Sequence, residues 1–331
     1  MGIDIGEISK IHDTINGILS KTFQTRRGKM GQVLGVRQHY AGLIDIGQGY
    51  ALALHADGVG TKVLVAEACH KYDTIGIDCV AMNVNDVICL GAEPLALVDY
   101  LALEKTRPEL VTQIIRGLQR GAREAGVAIV SGETAIMPDV VKGFDLAAMV
   151  IGLVRKDSLI TGEQIEPGDV IFGLRSSGIH SNGLTLARKV LLTKRVDPQV
   201  LRELLRPTRI YVDPVLRLVR SRVEVHALAH ITGGAYSKLK RIGLRSRVGF
   251  MLDSLPNPQS IFQQIQYRGH ISDREMYRTF NMGIGFLIVS PMRAAKRLKA
   301  LLPEAVEVGY ATKSRSALIS RFGKRVDVGS W

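Results

Sequence analysis

The sequence contains few cysteines and few aromatic residues. Its 331 residues include three cysteines, one tryptophan and 5% aromatic residues in total. The cysteines, Cys69, Cys79 and Cys89, lie in apolar segments and form no C-x-x-C pair. This spacing argues against a zinc site or a redox-active dithiol, and it favours reduced thiols packed in a core.

Long apolar runs are also missing. The longest uncharged apolar stretch, "LAAMVIGLV" at residues 146–154, is much shorter than the roughly 20 residues that span a bilayer as a helix. The first residues, "MGIDIGEISKIHD", lack the basic region and apolar core of a signal peptide. We therefore expect no membrane association and a cytoplasmic location.

Positive charge is abundant but dispersed. The chain carries 44 Lys and Arg against 31 Asp and Glu, a net charge of +13. The basic residues are scattered over segments such as 25–29, 237–247 and 293–299, and no aromatic residues alternate with them. Binding of single-stranded nucleic acid uses aromatic stacking beside basic residues, so a nucleic-acid partner is not favoured.

The composition and the order of segments predict a mixed α/β (α+β) protein with two domains. Apolar residues make up 46% and charged residues 23%, which is typical of globular proteins, and the length suits two domains. The expected domains are residues 1–155 and 156–331. Strand patterns occur at 43–46, 50–56, 95–103, 127–131, 144–154, 170–174 and 283–289, and helix patterns at 61–72, 74–92, 107–126, 182–194, 208–220, 259–267 and 292–301.

The stretch "HADGVGTKV" at residues 55–63 follows an apolar strand pattern. Gly58 and Gly60 allow a tight turn and a close approach of the backbone to a ligand. Thr61 and Lys62 would then begin a helix, whose free N–H groups favour a phosphate. The spacing does not match a Walker A loop, so an ordinary strand–turn–helix junction is the alternative at this point.

The helix pattern "CVAMNVNDVICLGA" is apolar nearly all round but contains Asn83, Asn85 and Asp86. Asn83 and Asp86 are three residues apart and so share a face. A buried carboxylate is costly unless it is paired, hydrogen-bonded or bound to a metal. Asp86 together with Asp57 suits Mg²⁺, which usually takes one or two carboxylates plus substrate phosphates. A purely structural polar cluster is the alternative.

Two further segments combine polar residues with glycines. In "VSGETAIMPD" a predicted strand ends at Ser131, Gly132 and Glu133, where ligands of α/β proteins tend to bind. In "LRSSGIHSNGLTLARKVL" a glycine-flanked turn before a helix carries polar residues that could hold an anion: Ser176, Ser177, His180, Ser181 and Asn182.

These motifs together resemble the phosphoribosylformylglycinamidine cyclo-ligase family, also called aminoimidazole ribonucleotide synthetases. The resemblance runs from about residue 43 to the end, through "HADGVGTK", "SGETAIMPD", "GLRSSGIHSNGLTLARK", "HITGG" and "EMYRTFNMGIGFLIV". It implies two α/β domains and a homodimer whose N-terminal strands build a shared barrel. It also implies an ATP- and Mg²⁺-dependent ring closure of formylglycinamidine ribonucleotide to aminoimidazole ribonucleotide in purine biosynthesis.

The resemblance also implies roles for the matching residues. The expected metal ligands are Asp57, Asp86 and Glu133. The expected catalytic residues are His180, Asn182 and Lys62. The residues expected to bind the nucleotide are Gly58, Gly60, Thr61, Lys62, Asn83, Ser131, Gly132, Ser177 and Ser181.

The chain departs from the family pattern in its first residues, at Ala235 in "HITGGA", and, with most consequence for the nucleotide, in one loop. The glycine-rich segment that helps to cover the nucleotide in the family appears here as "GVRQHYAGLID" at 35–45, with Arg37, His39 and Tyr40 in it. The sequence does not decide whether this loop closes over ATP as a lid. The alternative is therefore that the protein is a non-catalytic or differently specific relative with the same ATP-binding fold. Selenophosphate synthetase and a hydrogenase maturation factor share the fold, but their characteristic cysteines are missing here. Thiamine monophosphate kinase shares it too; its chemistry does not exclude it, but "EMYRTFNMGIG" does not suggest it.

Overall fold

The structure is a computed structural model that describes residues 5–35, 40–192, 197–321 and 323–330. Its strands form two open sheets, and within these ranges neither sheet closes into a barrel. The expected mixed α/β architecture is confirmed, and the shared barrel is not seen in the single chain.

The first sheet has six strands in the order β1-β2-β3-β6-β4-β5. All its neighbours pair antiparallel except β4 and β5, which are parallel. The strands are β1 (Gln32–Val33), β2 (Gly42–Gly47), β3 (Tyr50–Gly58), β4 (Glu93–Leu103), β5 (Ala128–Ile136) and β6 (Phe144–Arg155).

The second sheet has seven strands in the order β13-β12-β9-β11-β7-β10-β8. Its single parallel pair joins β12 and β9. The strands are β7 (Val170–Arg175), β8 (Ala227–His230), β9 (Gly249–Leu252), β10 (Ile284–Ser290), β11 (Val306–Thr312), β12 (Ser316–Arg321) and β13 (Lys324–Ser330).

Eleven helices accompany the sheets in the described ranges. None of them is long and apolar enough to cross a membrane. They are α1 (Ile5–Leu19), α2 (Val63–Cys69), α3 (Ile75–Val87), α4 (Pro108–Ala125), α5 (Leu184–Leu191), α6 (Pro198–Leu205), α7 (Val212–Arg220), α8 (Leu239–Ser246), α9 (Ser260–Gly269), α10 (Asp273–Thr279) and α11 (Met292–Leu301).

Most expected elements are present. Helix α4, for example, begins at Pro108 and ends before Gly126, whose φ of +67° suits glycine. Two other elements differ from their expected bounds. The strand expected at 127–131 instead continues to Ile136, so residues 131–133 lie within β5 rather than at its end. The helix expected at 208–220 begins only at Val212. Strands β1, β8 and β9 and helices α1, α6, α8 and α10 were not predicted.

Helix α3 is the most buried of the described helices, because all of its residues lie in the interior. It packs against β3 and β6 on one side and against α4 on the other. A Cβ atom on Gly76 would lie 2.1 Å from the backbone nitrogen of Leu118, so glycine is needed for the two helices to approach this closely. The polar residues of α3 therefore lie between the first sheet and the rest of the molecule.

The opposite face of the first sheet is apolar and only partly covered. The register places Leu54 opposite Ile151 and Ala56 opposite Met149, so their side chains share this face. Leu54 and Ile151 are half-buried, whereas Met149 is 38% exposed. A contiguous apolar sheet face of this kind is typical of an interaction surface.

Candidate active site between the two sheets

Asp57 lies at the end of β3, and Asn83 of helix α3 fixes its backbone. The Asp57 N–H donates to Asn83 Oδ1 at 3.1 Å, and Asn83 Nδ2 donates to the Asp57 carbonyl oxygen at 3.1 Å and to that of Cys79 at 2.9 Å. The Asn83 amide is therefore fully engaged in protein contacts. It positions Asp57, and its contacts do not support the expected direct contact with a nucleotide.

Asp86, one turn of α3 further on, is hydrogen-bonded to one histidine and lies close to a second. His230, the last residue of β8, donates from Nδ1 to Asp86 Oδ1 at 2.7 Å. The Nε2 atom of His55, on β3, lies 3.5 Å from Asp86 Oδ2. Asp86 thus lies where the first sheet, α3 and the second sheet meet.

The two carboxylates influence each other electrostatically. Burial raises the pKa of Asp57, and the negative charge of Asp86 raises it further. Burial would also raise the pKa of Asp86, but the hydrogen bond from His230 and the positive charge of Lys238 outweigh it, and the pKa lies below its usual value. Asp86 is therefore ionised at neutral pH beside a second carboxylate that favours added positive charge.

This pair fits a hard divalent cation whose remaining ligands are phosphate oxygens and water. Within the described ranges, no three His, Cys, Asp or Glu side chains converge as a complete metal cage. His55 Nε2 is nonetheless buried without a hydrogen-bond partner. Two carboxylates and an unsatisfied imidazole are consistent with a site that a metal–nucleotide complex completes.

Glu133 does not join this pair within one chain. The register aligns Asp57, Ala148, Asp99 and Gly132 across β3, β6, β4 and β5, so Glu133 points to the opposite face. Three strand spacings also separate β5 from β3, about 14 Å. Glu133 and the neighbouring Ser131 are exposed on an edge strand. Within one chain, Ser131 and Glu133 therefore do not lie beside Asp57, and the roles expected for Ser131, Gly132 and Glu133 stay predictions.

Lys62 lies away from solvent, in a buried ion pair. Its side chain has 0% exposure, and Nζ donates to Asp78 Oδ1 at 2.8 Å and to the Arg206 carbonyl oxygen at 2.7 Å. Burial lowers the pKa of Lys62, while the Asp78 charge and hydrogen bond raise it. The expectation that Lys62 contacts a phosphate does not hold in this structure, because its ammonium group is already occupied.

Asp78 connects α3 to the second half of the chain. Its Oδ1 atom accepts hydrogen bonds from the Thr208 backbone N–H at 2.7 Å, from Thr208 Oγ1 at 2.6 Å and from Ser181 Oγ at 3.1 Å, besides the one from Lys62. The Ser181 hydroxyl, expected to bind nucleotide, is thus used to hold the turn at 177–182 against α3.

His180 is the central residue of that turn. It has a φ of +66°, which is uncommon for a residue other than glycine. Its Nε2 accepts from the N–H groups of Ser177 at 3.2 Å and Arg209 at 3.5 Å, which assigns the proton of the neutral ring to Nδ1. Burial lowers the pKa of His180 well below its ordinary value, and the charges of His230 and Lys62 add to this.

Two donors at the turn have no partner in the protein. His180 Nδ1 and Asn182 Nδ2 are both buried without a hydrogen-bond partner among the described residues. Unsatisfied buried donors are rare in native proteins, and they suit an anionic or carbonyl oxygen. Ser177, by contrast, donates its hydroxyl to the Pro207 carbonyl oxygen at 2.6 Å.

Near Asp57, the glycine turn remains open. Gly60 has a φ of +64°, and no atom within 4 Å would meet a Cβ added there. Thr61 is exposed, and its Oγ1 lies 3.2 Å from that of Thr185. Gly58, Gly60 and Thr61 therefore offer backbone and hydroxyl groups beside the carboxylate pair.

Sequence reasoning missed four residues that build the site: Asp78, Asn85, His230 and Lys238. Asn85 was noted in the sequence without a role. Its Oδ1 atom accepts from the Tyr211 N–H at 2.9 Å, and its Nδ2 atom donates to the Arg209 carbonyl oxygen at 2.9 Å. These bonds fix residues 209–211 against α3, and helix α7 begins only after them, at Val212. Asp78 could have been found from the sequence, since it is another carboxylate in the same apolar helix.

Comparison with known proteins identifies the family. The models of the AIR synthase related protein N-terminal and C-terminal domains match residues 38–154 and 166–320. The phosphoribosylformylglycinamidine cyclo-ligase of Pyrococcus furiosus is 49% identical, with 97% of each chain covered. That of Methanocaldococcus jannaschii is 51% identical over 87% of this chain and 83% of the relative. The chain belongs to the phosphoribosylformylglycinamidine cyclo-ligase family.

Several solved structures of other proteins have the same fold. The structure described as AaThiL complexed with AMPPCP and TMP aligns with a TM-score of 0.69 at 17% identity, covering 99% of both chains. Hydrogenase maturation protein HypE aligns with a TM-score of 0.68 at 20% identity, covering 94% of this chain and 96% of that one. At these identities the likeness shows the two-domain fold alone.

The unusual loop of this cyclo-ligase family member is described in part. Arg37 and His39 lie outside the described residues. Tyr40 is 9% exposed and belongs to the hydrophobic core. The C-terminal end of the predicted lid is therefore anchored beside the site.

Proposed function

We propose that this protein catalyses the ATP-dependent ring closure of formylglycinamidine ribonucleotide to aminoimidazole ribonucleotide. The observation that carries the proposal is the Asp57–Asp86 pair, which lies at the junction of the two sheets. The pair occurs in a chain that is 49% identical to a relative named phosphoribosylformylglycinamidine cyclo-ligase. A non-catalytic relative is not favoured, because two facing carboxylates are costly to bury without a cationic ligand.

The reaction requires activation of a poor leaving group. The formyl oxygen of the substrate attacks the terminal phosphoryl group of ATP and becomes phosphorylated. ADP is the leaving group of this step. The amidine nitrogen then attacks the formyl carbon, the C–O bond breaks with release of phosphate, and the nitrogen loses a proton. Such steps depend on positioning and charge stabilisation more than on a protein nucleophile. The described cysteines fit this, since burial raises the pKa of Cys79 and Cys89 and keeps them as thiols.

Asp57 and Asp86 would hold Mg²⁺ in this proposal. The ion, when bound, would neutralise the phosphate charge that develops during transfer. Asn83 and His230 act through these carboxylates: Asn83 fixes the backbone of Asp57, and His230 orients Asp86. Gly58, Gly60 and Thr61 would lie along the nucleotide phosphates beside them.

His180 and Asn182 would face the substrate. Their unpaired Nδ1 and Nδ2 donors can stabilise negative charge on the formyl oxygen or on the transferred phosphoryl group. Because His180 remains neutral at physiological pH, it serves as a hydrogen-bond donor rather than as a cation. Lys62 has a positioning role, since its ion pair with Asp78 holds the turn that carries both donors.

The direct test supplies purified protein with formylglycinamidine ribonucleotide, ATP and Mg²⁺ and measures aminoimidazole ribonucleotide and ADP together. Equal formation of both products supports the proposal. ADP without the ring-closed product would indicate another substrate. Folded protein that forms neither would favour the non-catalytic alternative, and omission of the ribonucleotide is the matched control.

The proposal includes a homodimer formed through the apolar face of the first sheet. Met149 and Tyr100 on this face are 38% and 44% exposed, and burial of such a face stabilises association. Met149→Glu should yield monomers in light scattering, whereas Tyr267→Glu on α9, where Tyr267 is 82% exposed, should not. A dimeric Met149→Glu protein would place the interface elsewhere.

Two finer assignments complete the proposal. The domains are taken as residues 1–155 and 156–331, since strands of the first sheet end at Arg155 and those of the second begin at Val170. A cytoplasmic location is supported by the three unpaired cysteines, which stay reduced there.

A further inference from the structure

Lys238 lies beside the carboxylate pair, at the end of the turn that follows β8. Its ammonium group donates to Thr232 Oγ1. Thr232 is two residues after His230, which contacts Asp86 at 2.7 Å, so the chain length alone places it within about 7.6 Å of His230 between Cα atoms. The positive charge of Lys238 lowers the pKa of both Asp57 and Asp86.

A second contact holds Lys238 over an aromatic ring. Its Nζ atom lies 5.4 Å from the centroid of the Tyr40 ring, a cation–π contact. Burial raises the pKa of the Tyr40 phenol well above its usual value, and the negative charge of Asp86 adds to this effect. Lys238, Tyr40 and Asp86 therefore form one cluster that joins the lid segment to the second sheet.

The position of this ammonium group has a consequence for ligand binding. Without a metal, Lys238 partly neutralises two facing carboxylates, which otherwise repel each other. A divalent cation on the carboxylates would repel the ammonium group and compete with it for the same negative charge. An ammonium group has three N–H donors. Once a divalent cation occupies the carboxylates, the phosphate oxygens of a nucleotide are the favourable acceptors for these donors.

We propose that Lys238 is the counter-ion of the Asp57–Asp86 pair in the ligand-free protein and contacts the phosphate chain of the nucleotide once a metal ion is bound. The inference rests on the proposed function, because it takes a metal–nucleotide complex as the ligand. It assigns Lys238 two effects of opposite sign. Lys238 weakens binding of a free divalent cation, and it strengthens binding of the metal–nucleotide complex.

The test compares Lys238→Met with Lys238→Arg and with the wild type. Mn²⁺ alone is titrated into nucleotide-free protein and followed by electron paramagnetic resonance. A non-hydrolysable ATP analogue with Mg²⁺ is titrated separately by calorimetry. Lys238→Met should bind Mn²⁺ at least about threefold more tightly, because a repelling charge is gone. It should bind the nucleotide about tenfold more weakly, because a charge-assisted hydrogen bond is lost.

The controls separate this role from a structural one. Lys238→Arg keeps the charge and should restore both affinities to within about twofold of the wild type. Lys296→Met, which removes an exposed lysine on α11, should change neither. Mn²⁺ affinity that is unchanged or weaker in folded Lys238→Met would overturn the counter-ion role. Unchanged nucleotide affinity would overturn the phosphate contact.

These measurements also stand apart from the proposed reaction. A wild-type protein that forms no aminoimidazole ribonucleotide would refute the proposed function. The Mn²⁺ and nucleotide titrations contain no formylglycinamidine ribonucleotide, so they test Lys238 independently of that outcome.

Discussion

Replacement of Lys62 by methionine should destabilise the folded protein without weakening its affinity for ATP. Lys62 and Asp78 both have 0% side-chain exposure, and their charged atoms are 2.8 Å apart. Removal of one member of a buried pair leaves the other charge uncompensated, which typically costs about 3–5 kcal/mol of unfolding free energy. Lys62→Met leaves the Asp78 carboxylate with donors from Thr208 and Ser181.

The reverse change should cost more. In Asp78→Asn, the buried ammonium group of Lys62 would keep only neutral acceptors, the Arg206 carbonyl oxygen and the new amide oxygen, and no negative charge to balance it. We therefore expect a loss of about 3 kcal/mol for Lys62→Met and about 5 kcal/mol for Asp78→Asn. For a chain of this size the melting temperature should fall by about 4 °C and about 7 °C, respectively.

Thermal unfolding by circular dichroism measures these losses, and calorimetric titration measures ATP affinity on the folded variants. The Lys62→Met/Asp78→Asn double variant should lose less stability than the sum of the single changes, because no lone charge is left buried. Lys189→Met, which removes an exposed lysine on α5, is the matched control. A folded Lys62→Met protein with an unchanged melting temperature but greatly reduced ATP affinity would refute this reasoning and restore Lys62 as a phosphate ligand.

Three further predictions concern the site itself. Asp86→Asn should reduce formation of aminoimidazole ribonucleotide by more than about a hundredfold in steady-state assays while the circular dichroism spectrum is retained; near-normal turnover would remove Asp86 from the metal site. Tyr40→Ala should raise the KM for ATP, measured by initial rates at varied ATP, because Tyr40 anchors the end of the lid and holds Lys238; an unchanged KM would show that the loop has another role. Because burial lowers the pKa of His180, the unfolded state binds its proton first, so stability should decrease as the pH falls below about 6.5, by up to about 1.4 kcal/mol per pH unit. Urea denaturation at several pH values measures this effect. The free energy of unfolding should depend less steeply on pH in His180→Asn than in the wild type, and an equal slope in both proteins would assign the effect to other groups.

The sequence predicted which segments matter better than it predicted what each side chain contacts. The polar residues of α3 stood out because they interrupt an apolar helix. Their partners lie far away in the chain: Asn85 bonds to residues 124 and 126 positions distant. Spacing within a motif carries no information about such partners, so structural amides and functional carboxylates looked alike.

The sequence did not show what Glu133 and Lys62 contact in the single chain, for two different physical reasons. Strand β5 continues past Thr134, and the alternation of a strand then directs Glu133 away from Asp57 within one chain. Lys62 follows a glycine turn that suits phosphate binding, but Asp78, sixteen residues later, binds its ammonium group. The first position depends on the end of a strand, which local sequence defines poorly. The second depends on a tertiary ion pair.

Helix α3 explains why two sheets with few direct contacts can form one site. Its polar residues hold three segments: Asp78 and Asn85 hold residues 208–211, Asn83 holds Asp57, and Asp86 holds His230. A buried polar network of this kind contributes little net stability but disfavours alternative packings, because any shift of the helix leaves several groups unsatisfied.

The same network has a consequence for catalysis. Its partners come from both halves of the chain, so displacement of α3 would move the carboxylate pair and the His180 turn together. Changes in metal affinity and in substrate affinity should therefore be coupled in variants of α3 that contact neither ligand. Asn85 offers the clearest case, because both of its backbone partners lie in the second half of the chain while its own helix also carries Asp86.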